Sequence, residues 1–324
     1  MTDVQARLLN EFQRGFPLEP EPFRAIAGKL GVTEPEVLGL LARCQAEGRV
    51  SRVGVVFRPN VVGVSTLAAL EVPEPDLPAV ADLVSGLPQV NHNYEREHRY
   101  NLWFVVTAPD AEGVAHALAA VENRTGLKPL VLPLVREYHI DLGFDMQHGT
   151  LAHLRPGAPL TAPAETAPAD DEPALVAAVQ AGFPLVSRPF RDIASRAGTT
   201  EQEVISRLRI WVETGVARRV GVVVRHHELG YRANAMVVWD LPDSQVDAAG
   251  RCVARQPFVT LCYRRPRRLP GWRYNLFCMI HGRDRATVLG HVETLRTLCG
   301  LGERPHDVLF SRQRFKQTGA RYAA

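Results

Sequence analysis

The sequence of 324 residues has little cysteine and no long apolar run. Its five cysteines include no Cys-x-x-Cys pair, so they predict neither a zinc site nor a disulfide framework, and we expect reduced, mostly buried thiols. No stretch has the length of a signal peptide's apolar region or of a bilayer span. We therefore expect a cytoplasmic protein with no membrane partner.

An excess of one charge is missing as well. The formal net charge is +3, which is too small to indicate a nucleic-acid partner by itself. The sequence also has no P-loop, no Gly-x-Gly-x-x-Gly fingerprint and no cluster of metal ligands. What it does have is 46% apolar and 23% charged residues, a composition typical of folded globular domains, and its length favours two or more of them.

One long internal repeat organises the chain. The segment GFPLEPEPFR at 15–24 aligns with GFPLVSRPFR at 182–191, and at the same offset the run RVGVV occurs in both copies. Further along, Tyr94 aligns with Tyr263, and each copy then contains Tyr-Asn-Leu. A repeat of this length indicates that a whole domain was duplicated, because solenoid units are much shorter.

Each copy begins with three helical patterns. In the first copy they cover 4–14, 22–30 and 33–47, and a Thr-x-x-Glu capping box opens the third. The sequence RVSRVGVVFRPNVVG follows, with two β-rich runs that predict a β-wing. This order of helices and wing is typical of a winged helix-turn-helix.

The rest of each copy has the order strand, helix, strand, strand, helix, strand. This βαββαβ order predicts a ferredoxin-like sandwich, in which both helices cover one face of a four-stranded sheet. Because the other face needs a partner, we expect the two sandwiches to pack face to face as an intrachain pseudo-dimer. The predicted fold class is therefore α+β, with winged helix-turn-helix domains at 1–62 and 175–229, ferredoxin-like domains at 63–150 and 230–324, and a linker rich in Pro, Ala and acidic residues at 151–174.

This organisation resembles the feast-famine (Lrp/AsnC) transcription regulators. The resemblance implies a DNA-binding protein that senses a small molecule or heme, so the third helix of each copy should suit DNA. The helix at 33–47 has three glutamates and one arginine, and its counterpart has three glutamates and two arginines. The phosphate backbone repels acidic helices. We therefore expect no nucleic-acid partner and a packing role for these helices.

A second, rarer motif indicates a resemblance to a different family. The segment NHNYEREHRYNLWF at 91–104, together with LCYRRPRRLPGWRYNLF at 261–277, resembles the siroheme decarboxylase family, both its separate D/L- and G/H-type subunits and its fused forms. The resemblance implies a carboxy-lyase that converts siroheme to 12,18-didecarboxysiroheme in heme biosynthesis, towards the heme of nitrite reductase or towards protoheme. The alternatives are an Lrp/AsnC-type regulator and a tetrapyrrole carrier without turnover. Further decarboxylase subunits, or a homodimer of the pseudo-dimer, stay open.

The strand predicted at 90–96 carries the candidate acid-base groups. Alternate residues of a strand share a face, so Asn91 should lie opposite to His92. His98 lies just past the strand end, where a hairpin would return it to the face of His92. The face then combines an imidazole, a phenol and a guanidinium, from His92, Tyr94 and Arg96.

Loss of a ring acetate as carbon dioxide leaves carbanion-like character on the exocyclic carbon, which must then receive a proton. Histidine is the natural donor near neutral pH. We expect His92 and His98 to be general acids, or one to be the acid and the other the axial ligand of the siroheme iron. No cofactor is expected beyond that iron. The histidines expected to be structural are His139, His281 and His306.

Siroheme is a flat tetrapyrrole with carboxylates around its rim, so its site needs an apolar floor and fixed cations. Arginine binds a carboxylate with two parallel hydrogen bonds, and the segment RRPRRLPGWR at 264–273 has five arginines. The second copy has Leu261 where the first has His92, so we expect acid-base groups in the first half and carboxylate clamps in the second. The expected substrate-binding residues are Tyr94, Arg96, Arg99, Tyr100, Tyr263, Arg264, Arg265, Arg267, Arg268, Trp272 and Arg273.

Overall fold

The computed structural model describes residues 3–140, 173–224 and 233–322. Most of the predicted linker at 151–174 lies outside these residues. No helix of the described part is long and apolar enough to cross a bilayer. The helices are α1 (Asp3–Glu11), α2 (Pro22–Leu30), α3 (Glu34–Ala46), α4 (Leu77–Ser85), α5 (Ala111–Thr125), α6 (Pro173–Gln180), α7 (Pro189–Ala197), α8 (Glu201–Glu213), α9 (Val246–Val253) and α10 (Arg285–Leu298). The strands are β1 (Val50–Phe57), β2 (Val64–Leu70), β3 (Val90–Arg96), β4 (Leu102–Ala108), β5 (Leu130–Pro133), β6 (Arg136–Ile140), β7 (Ala217–Val224), β8 (Ala233–Trp239), β9 (Val259–Arg264), β10 (Leu276–Gly282) and β11 (His306–Gln317).

The chain divides into two units, and each unit combines parts of both repeats. The helical unit contains Met1–Val64, Gly143–Leu229 and Gly319–Ala324, whereas the sheet unit contains Ser65–Leu142 and Gly230–Thr318. The duplication has therefore produced two pairs of like domains, rather than two independent copies placed one after the other.

The helices of the helical unit begin and end where local chemistry requires. A left-handed Gly31 (φ 71°) ends α2. The backbone N and the Oγ1 of Thr33 each donate to Glu36 Oε2 at 2.7 Å, which confirms the predicted capping box of α3. In the second repeat, Thr200 Oγ1 accepts from the backbone N of Glu203 at 3.2 Å. The same sequence signal thus starts the third helix of both repeats.

The predicted β-wing differs from what forms. Instead of a hairpin with the next run of its own repeat, β1 pairs in antiparallel fashion with β7 of the other repeat, with Gly54 opposite Gly221. A Cβ atom on Gly221 would lie 2.3 Å from the carbonyl oxygen of Gln13. The shared Arg-Val-Gly-Val-Val run therefore joins the two repeats, and its glycine permits a close approach of the backbone.

The strands of the sheet unit follow the order β5-β2-β4-β3-β11-β8-β10-β9-β6. Within this order the four strands of the first repeat, and then those of the second, have the ferredoxin-like arrangement with the fourth strand beside the first and the third beside the second. The helices α4 and α5 follow the expected positions in the first repeat, as do α9 and α10 in the second. The βαββαβ prediction is confirmed for both repeats.

Two strand exchanges join the sandwiches. Strand β3 pairs with β11, with Tyr94 opposite Arg314, and β6 pairs with β9, with Glu137 opposite Tyr263. The sequence predicted a single strand where β5 and β6 are found. The strand divides after Pro133, which has no N–H to donate to a ladder, and β6 then crosses to the second repeat.

The two sheets also share a core. In the second repeat one face of the sheet packs against α9 and α10. The opposite face joins residues of both repeats in one apolar cluster, which confirms the face-to-face packing. Its members include Leu67, Trp103 and Leu132 from the first repeat and Met236, Phe277 and Leu309 from the second.

One prediction about the cysteines was wrong. Cys252 in α9 and Cys299 at the end of α10 form a disulfide. No pattern in the sequence indicates this bond, because the two helices are distant along the chain and come together only against the same core. Cys44, Cys262 and Cys278 are buried free thiols, as expected.

Candidate active site

The strand β3 brings His92, Tyr94 and Arg96 together on the side of the shared core. The His92 and Tyr94 rings are stacked with centroids 6.2 Å apart, and the Arg96 guanidinium lies 5.7 Å from the Tyr94 ring centre. Arg96 Nη1 donates to the carbonyl of Leu309 at 3.1 Å, and its Nη2 lies 3.8 Å from Met279 Sδ. The predicted grouping of these three side chains is confirmed. We call the three residues the Tyr–Arg face.

Asn91 was expected opposite to His92, and this prediction was wrong. A β-bulge between Val90 and His92 interrupts the pairing of β3 with β4, and bulges redirect side chains locally. Asn91 Oδ1 lies 3.1 Å from His92 Nδ1, while Asn91 Nδ2 donates to Thr107 Oγ1 at 3.2 Å. Asn93 does lie on the opposite face, where it donates to α4.

Arg96 is a buried cation. Its side chain is 7% exposed, and within the described residues no carboxylate lies within ion-pair distance and its Nε has no acceptor. Burial lowers the pKa of this guanidinium, against the opposing influence of the Tyr263 and Tyr94 hydroxyls. Because an unpaired buried charge is costly, this position suits an anionic ligand.

The second repeat has the same arrangement at Tyr263 and Arg265. The Arg265 guanidinium lies 4.5 Å above the Tyr263 ring, and its Nη1 donates to the carbonyl of Leu132. Burial lowers the pKa of Arg265 too, and its Nε has no acceptor among the described residues. The buried Trp272 Nε1 is a further donor of this kind. Arg96 Nε, Arg265 Nε and Trp272 Nε1 are therefore three buried N–H groups in the core between the sheets for which the described part of the chain provides no acceptor.

His98 lies beside aromatic residues of both repeats. Its ring is 6.0 Å from that of Tyr100 and 5.4 Å from that of Trp272, which in turn lies 5.2 Å from Trp103. His98 Nδ1 accepts from the backbone N of Tyr100 at 2.9 Å, and its Nε2 lies 3.6 Å from Asp307 Oδ2. Burial lowers the pKa of His98, and Asp307 opposes this shift.

A cleft of about 550 Å³ opens next to His98, within the range of ~300–1,000 Å³ typical of ligand sites. Its lining includes Arg96, Glu97 and Arg99. Arg99 Nε is held by Glu71 at 2.7 Å, so its charge is already neutralised. The glutamates of this cleft suit the passage of protons and water better than the binding of carboxylates.

Three of the five arginines in the segment 264–273 have aspartate partners. Arg264 Nη2 lies 3.0 Å from Asp243 Oδ1. Arg267 pairs with Asp240 at 2.8 Å and with Asp243 at 2.9 Å, and Arg273 pairs with Asp240 at 2.8 Å. Although burial opposes it, these hydrogen bonds lower the pKa of Asp240. These three arginines thus have partners within the protein, and the substrate-binding role of all five stays a prediction.

The other two arginines differ from these three. Arg265 is half-buried with a buried Nε, and Arg268 is exposed. Arg268 Nε donates to the carbonyl of Val131 at 3.0 Å. For both, the described residues provide no carboxylate within ion-pair distance.

The remaining strand histidines lie elsewhere. His139 is opposite Cys262 in the pairing of β6 with β9, next to a register shift between Glu137 and His139. His281 Nδ1 lies 2.5 Å from Asn234 Oδ1, and the His306 ring is stacked on Trp239.

Sequence reasoning missed three polar neighbours of the two candidate histidines. Asn91 and Thr107 are linked to His92, and Asp307 to His98. Only the bulge brings Asn91 to His92, and Asp307 belongs to the last strand of the other repeat. No local pattern in the sequence signals either contact.

Comparison with protein families gives two matches per repeat. Residues 5–50 and 172–218 match a family described as "Siroheme decarboxylase NirDL-like HTH domain". Residues 62–139 and 228–316 match a family described as "AsnC-like ligand binding domain". Both matches recur in each copy, in agreement with the duplication.

Relatives match the whole chain or one repeat of it. The "Siroheme decarboxylase NirDL subunit" of Paracoccus denitrificans is 48% identical, over 100% of this chain and 98% of the relative. A "Siroheme decarboxylase" of Hydrogenobacter thermophilus is 32% identical, over 98% of this chain and 94% of the relative. The "Siroheme decarboxylase NirD subunit" of Pseudomonas aeruginosa is 50% identical over 45% of this chain and 98% of its own length.

Two solved structures are similar over the whole chain. The "siroheme decarboxylase NirDL" superposes with a TM-score of 0.70 at 29% identity, covering 99% of this chain and 95% of the other. A structure of NirDL "in co-complex with iron-uroporphyrin III analogue" has a TM-score of 0.67 at 30% identity, with 99% and 93% coverage.

Proposed function

The chain belongs to the siroheme decarboxylase family, and we propose that it removes acetate carboxyls of siroheme at the Tyr–Arg face. As a carboxy-lyase, it would release carbon dioxide twice and give 12,18-didecarboxysiroheme for heme biosynthesis. We also propose that it acts in the cytoplasm.

The proposed location of the site rests on one observation. Arg96 Nε, Arg265 Nε and Trp272 Nε1 are buried donors without acceptors within the described residues, and they adjoin the aromatic and apolar side chains of the shared core. A flat macrocycle with carboxylates on its rim offers apolar faces and acceptors together. Such a ligand would offset the cost of the unpaired donors, which is about 1–3 kcal/mol for each neutral group and more for a charge.

The side chains of the Tyr–Arg face, together with Arg265 of the second repeat, have different roles in the reaction. Arg96 and Arg265 bind carboxylates that are retained, and the reacting carboxylate lies in less polar surroundings, where its ionised form is less well stabilised. As the bond to carbon dioxide breaks, its electron pair stays on the exocyclic carbon. The His92 imidazolium then gives its proton to this carbon to form the methyl group. Tyr94 holds the His92 ring by stacking.

His98 and the cleft beside it have supporting roles at the proposed site. The ring is 16% exposed and packs on Trp272, so it can donate a hydrogen bond to a bound carboxylate while the cleft admits water. The iron of siroheme supplies the electronic character of the substrate macrocycle, and the protein contributes binding, orientation and the proton.

The test is anaerobic incubation of the purified protein with siroheme, followed by mass analysis of the tetrapyrrole. Stepwise loss of carbon dioxide is expected. A bound but unchanged tetrapyrrole would favour a carrier, and the absence of both binding and turnover would contradict the proposal. An Arg96→Met variant should bind siroheme more weakly in a spectroscopic titration, whereas Arg251→Met, an exposed change on α9, should bind normally.

A further inference from the structure

We propose that Asn91 is a positioning residue that holds His92 in the tautomer with its proton on Nδ1, so that Nε2 is the nitrogen that meets the substrate. Thr107 holds the Asn91 amide in turn. The inference rests on the proposed function and adds two residues to the site. It also separates the roles of the two candidate histidines.

Two side-chain contacts hold Asn91. Its Nδ2 donates to Thr107 Oγ1 at 3.2 Å, and its Oδ1 lies 3.1 Å from His92 Nδ1. The side chain is 6% exposed, and the backbone carbonyl of Asn91 accepts from the backbone N of Thr318 at 2.8 Å. The bulged residue is thus held at both its main chain and its side chain.

The tautomer of His92 follows from the acceptor that it faces. Because an amide oxygen only accepts hydrogen bonds, the Oδ1 of Asn91 beside His92 Nδ1 favours a proton on that nitrogen. In the neutral ring the lone pair is then on Nε2. A ring nitrogen that donates to a carbonyl oxygen in this way also fixes the orientation of the ring for the other nitrogen, an arrangement common where the other nitrogen is the reactive one.

Either role of His92 uses Nε2. As an acid, the imidazolium has both nitrogens protonated. Nε2 gives its proton to the exocyclic carbon as carbon dioxide leaves, and the neutral ring that remains still donates from Nδ1 to Asn91. As a ligand of the substrate iron, the neutral ring would use the Nε2 lone pair. The hydrogen bond to Asn91 is kept in both cases.

His98 has the opposite tautomer. Its Nδ1 accepts from the backbone N–H of Tyr100 at 2.9 Å, so the proton of the neutral ring lies on Nε2, the nitrogen 3.6 Å from Asp307. A proton added to Nδ1 would face an N–H donor, which disfavours the imidazolium. His98 therefore suits hydrogen-bond donation from Nε2, and His92 suits proton transfer.

Nitrogen-15 spectra of labelled histidine side chains test the proposal, with His92→Gln used to assign the signals. The unliganded wild type should have His92 protonated on Nδ1 when neutral. Asn91→Leu, which removes the acceptor, should populate the other tautomer and lower kcat by about 10- to 100-fold, with KM unchanged. Asn91→Asp keeps an acceptor and should retain the tautomer. Asn93→Leu is the matched control, because Asn93 is also buried but donates to α4.

An unchanged tautomer and rate in Asn91→Leu would overturn the proposal. If that variant does not fold, Thr107→Val provides the test, because it leaves Asn91 in place but removes its anchor. It should give a smaller change in the same direction, and a wild-type spectrum and rate would again overturn the inference. The tautomers can be read without substrate, so failure of the proposed function would appear separately, as a lack of turnover in the wild type.

Discussion

His92 and His98 differ more in their surroundings than their shared motif suggests. His92 lies beside Asn91 on the Tyr–Arg face, whereas His98 lies against Trp272 with its Nδ1 occupied by a backbone N–H. The same residue type can therefore be a proton donor at one position and a fixed hydrogen-bond donor at the other. The hydrogen-bond partners, and not the spacing, decide between these roles.

The buried state of His98 predicts a pH dependence of stability. Burial lowers its pKa below the 6.5 of an exposed histidine, so the unfolded chain takes up a proton before the native state does. The native state should lose stability as the pH falls below about 6.5, and this contribution is complete above that pH. In His98→Gln, the free energy of unfolding in urea should therefore fall less on acidification than in the wild type.

The exposed His116 on α5 supplies the control for this measurement. His116→Gln should follow the wild type, since its ring is solvated in both states. Equal losses of stability in His98→Gln and the wild type would show that His98 does not titrate as described.

At this scale the sequence predicted part of the site. The alternation of side chains along a strand was sufficient to place His92, Tyr94 and Arg96 together. The same rule failed for Asn91, because a bulge depends on how β4 pairs with β3 and leaves no mark in the alternation pattern. For a similar reason the position of Asp307 next to His98 could not be predicted, since strand exchange brings it from the other repeat.

Among the elements, the segment 264–273 shows what composition can and cannot predict. Its five arginines were visible in the sequence, but their partners were not. Asp240 and Asp243 follow β8 and bind three of the arginines, so most of this charge supports the fold. Only contacts between distant segments distinguish a structural arginine from one available to a ligand.

This division predicts different effects for two neighbouring arginines. Arg267→Ala should lower the free energy of unfolding by about 1–3 kcal/mol, because it removes one donor each from Asp240 and from the carbonyl of Leu241. Arg268→Ala, at an exposed position, should change it by no more than about 0.5 kcal/mol. Urea unfolding of both variants is the measurement, and equal effects would contradict the assignment of Arg267 to the fold.

At the scale of the whole molecule, the duplication behaves like two subunits fused into one chain. Strands β3 and β9 each pair with a strand of the other repeat, and β1 pairs with β7. Relatives that correspond to one repeat are named as separate subunits. The repeat and the unpaired sheet faces made the pseudo-dimer predictable. The strand exchanges were not predictable, because in the sequence β6 continues the βαββαβ pattern of the first repeat.

Separate expression of the repeats tests this description. Residues 1–150 and 175–324, produced as two chains, should associate into a one-to-one complex, because either half alone exposes the apolar face that forms the shared core. Size-exclusion chromatography with light scattering gives the stoichiometry. Two halves that remain monomeric and well folded when mixed would contradict a shared core.

The most direct test of the whole account is single-turnover decarboxylation of siroheme by His92→Ala, with binding measured in the same preparation. The account predicts a rate lower by about 100- to 10,000-fold, as is typical for the loss of a general acid, and an affinity close to that of the wild type, because Arg96 and Arg265 are retained. Decarboxylation at nearly the wild-type rate would contradict the assignment of the reaction to the Tyr–Arg face.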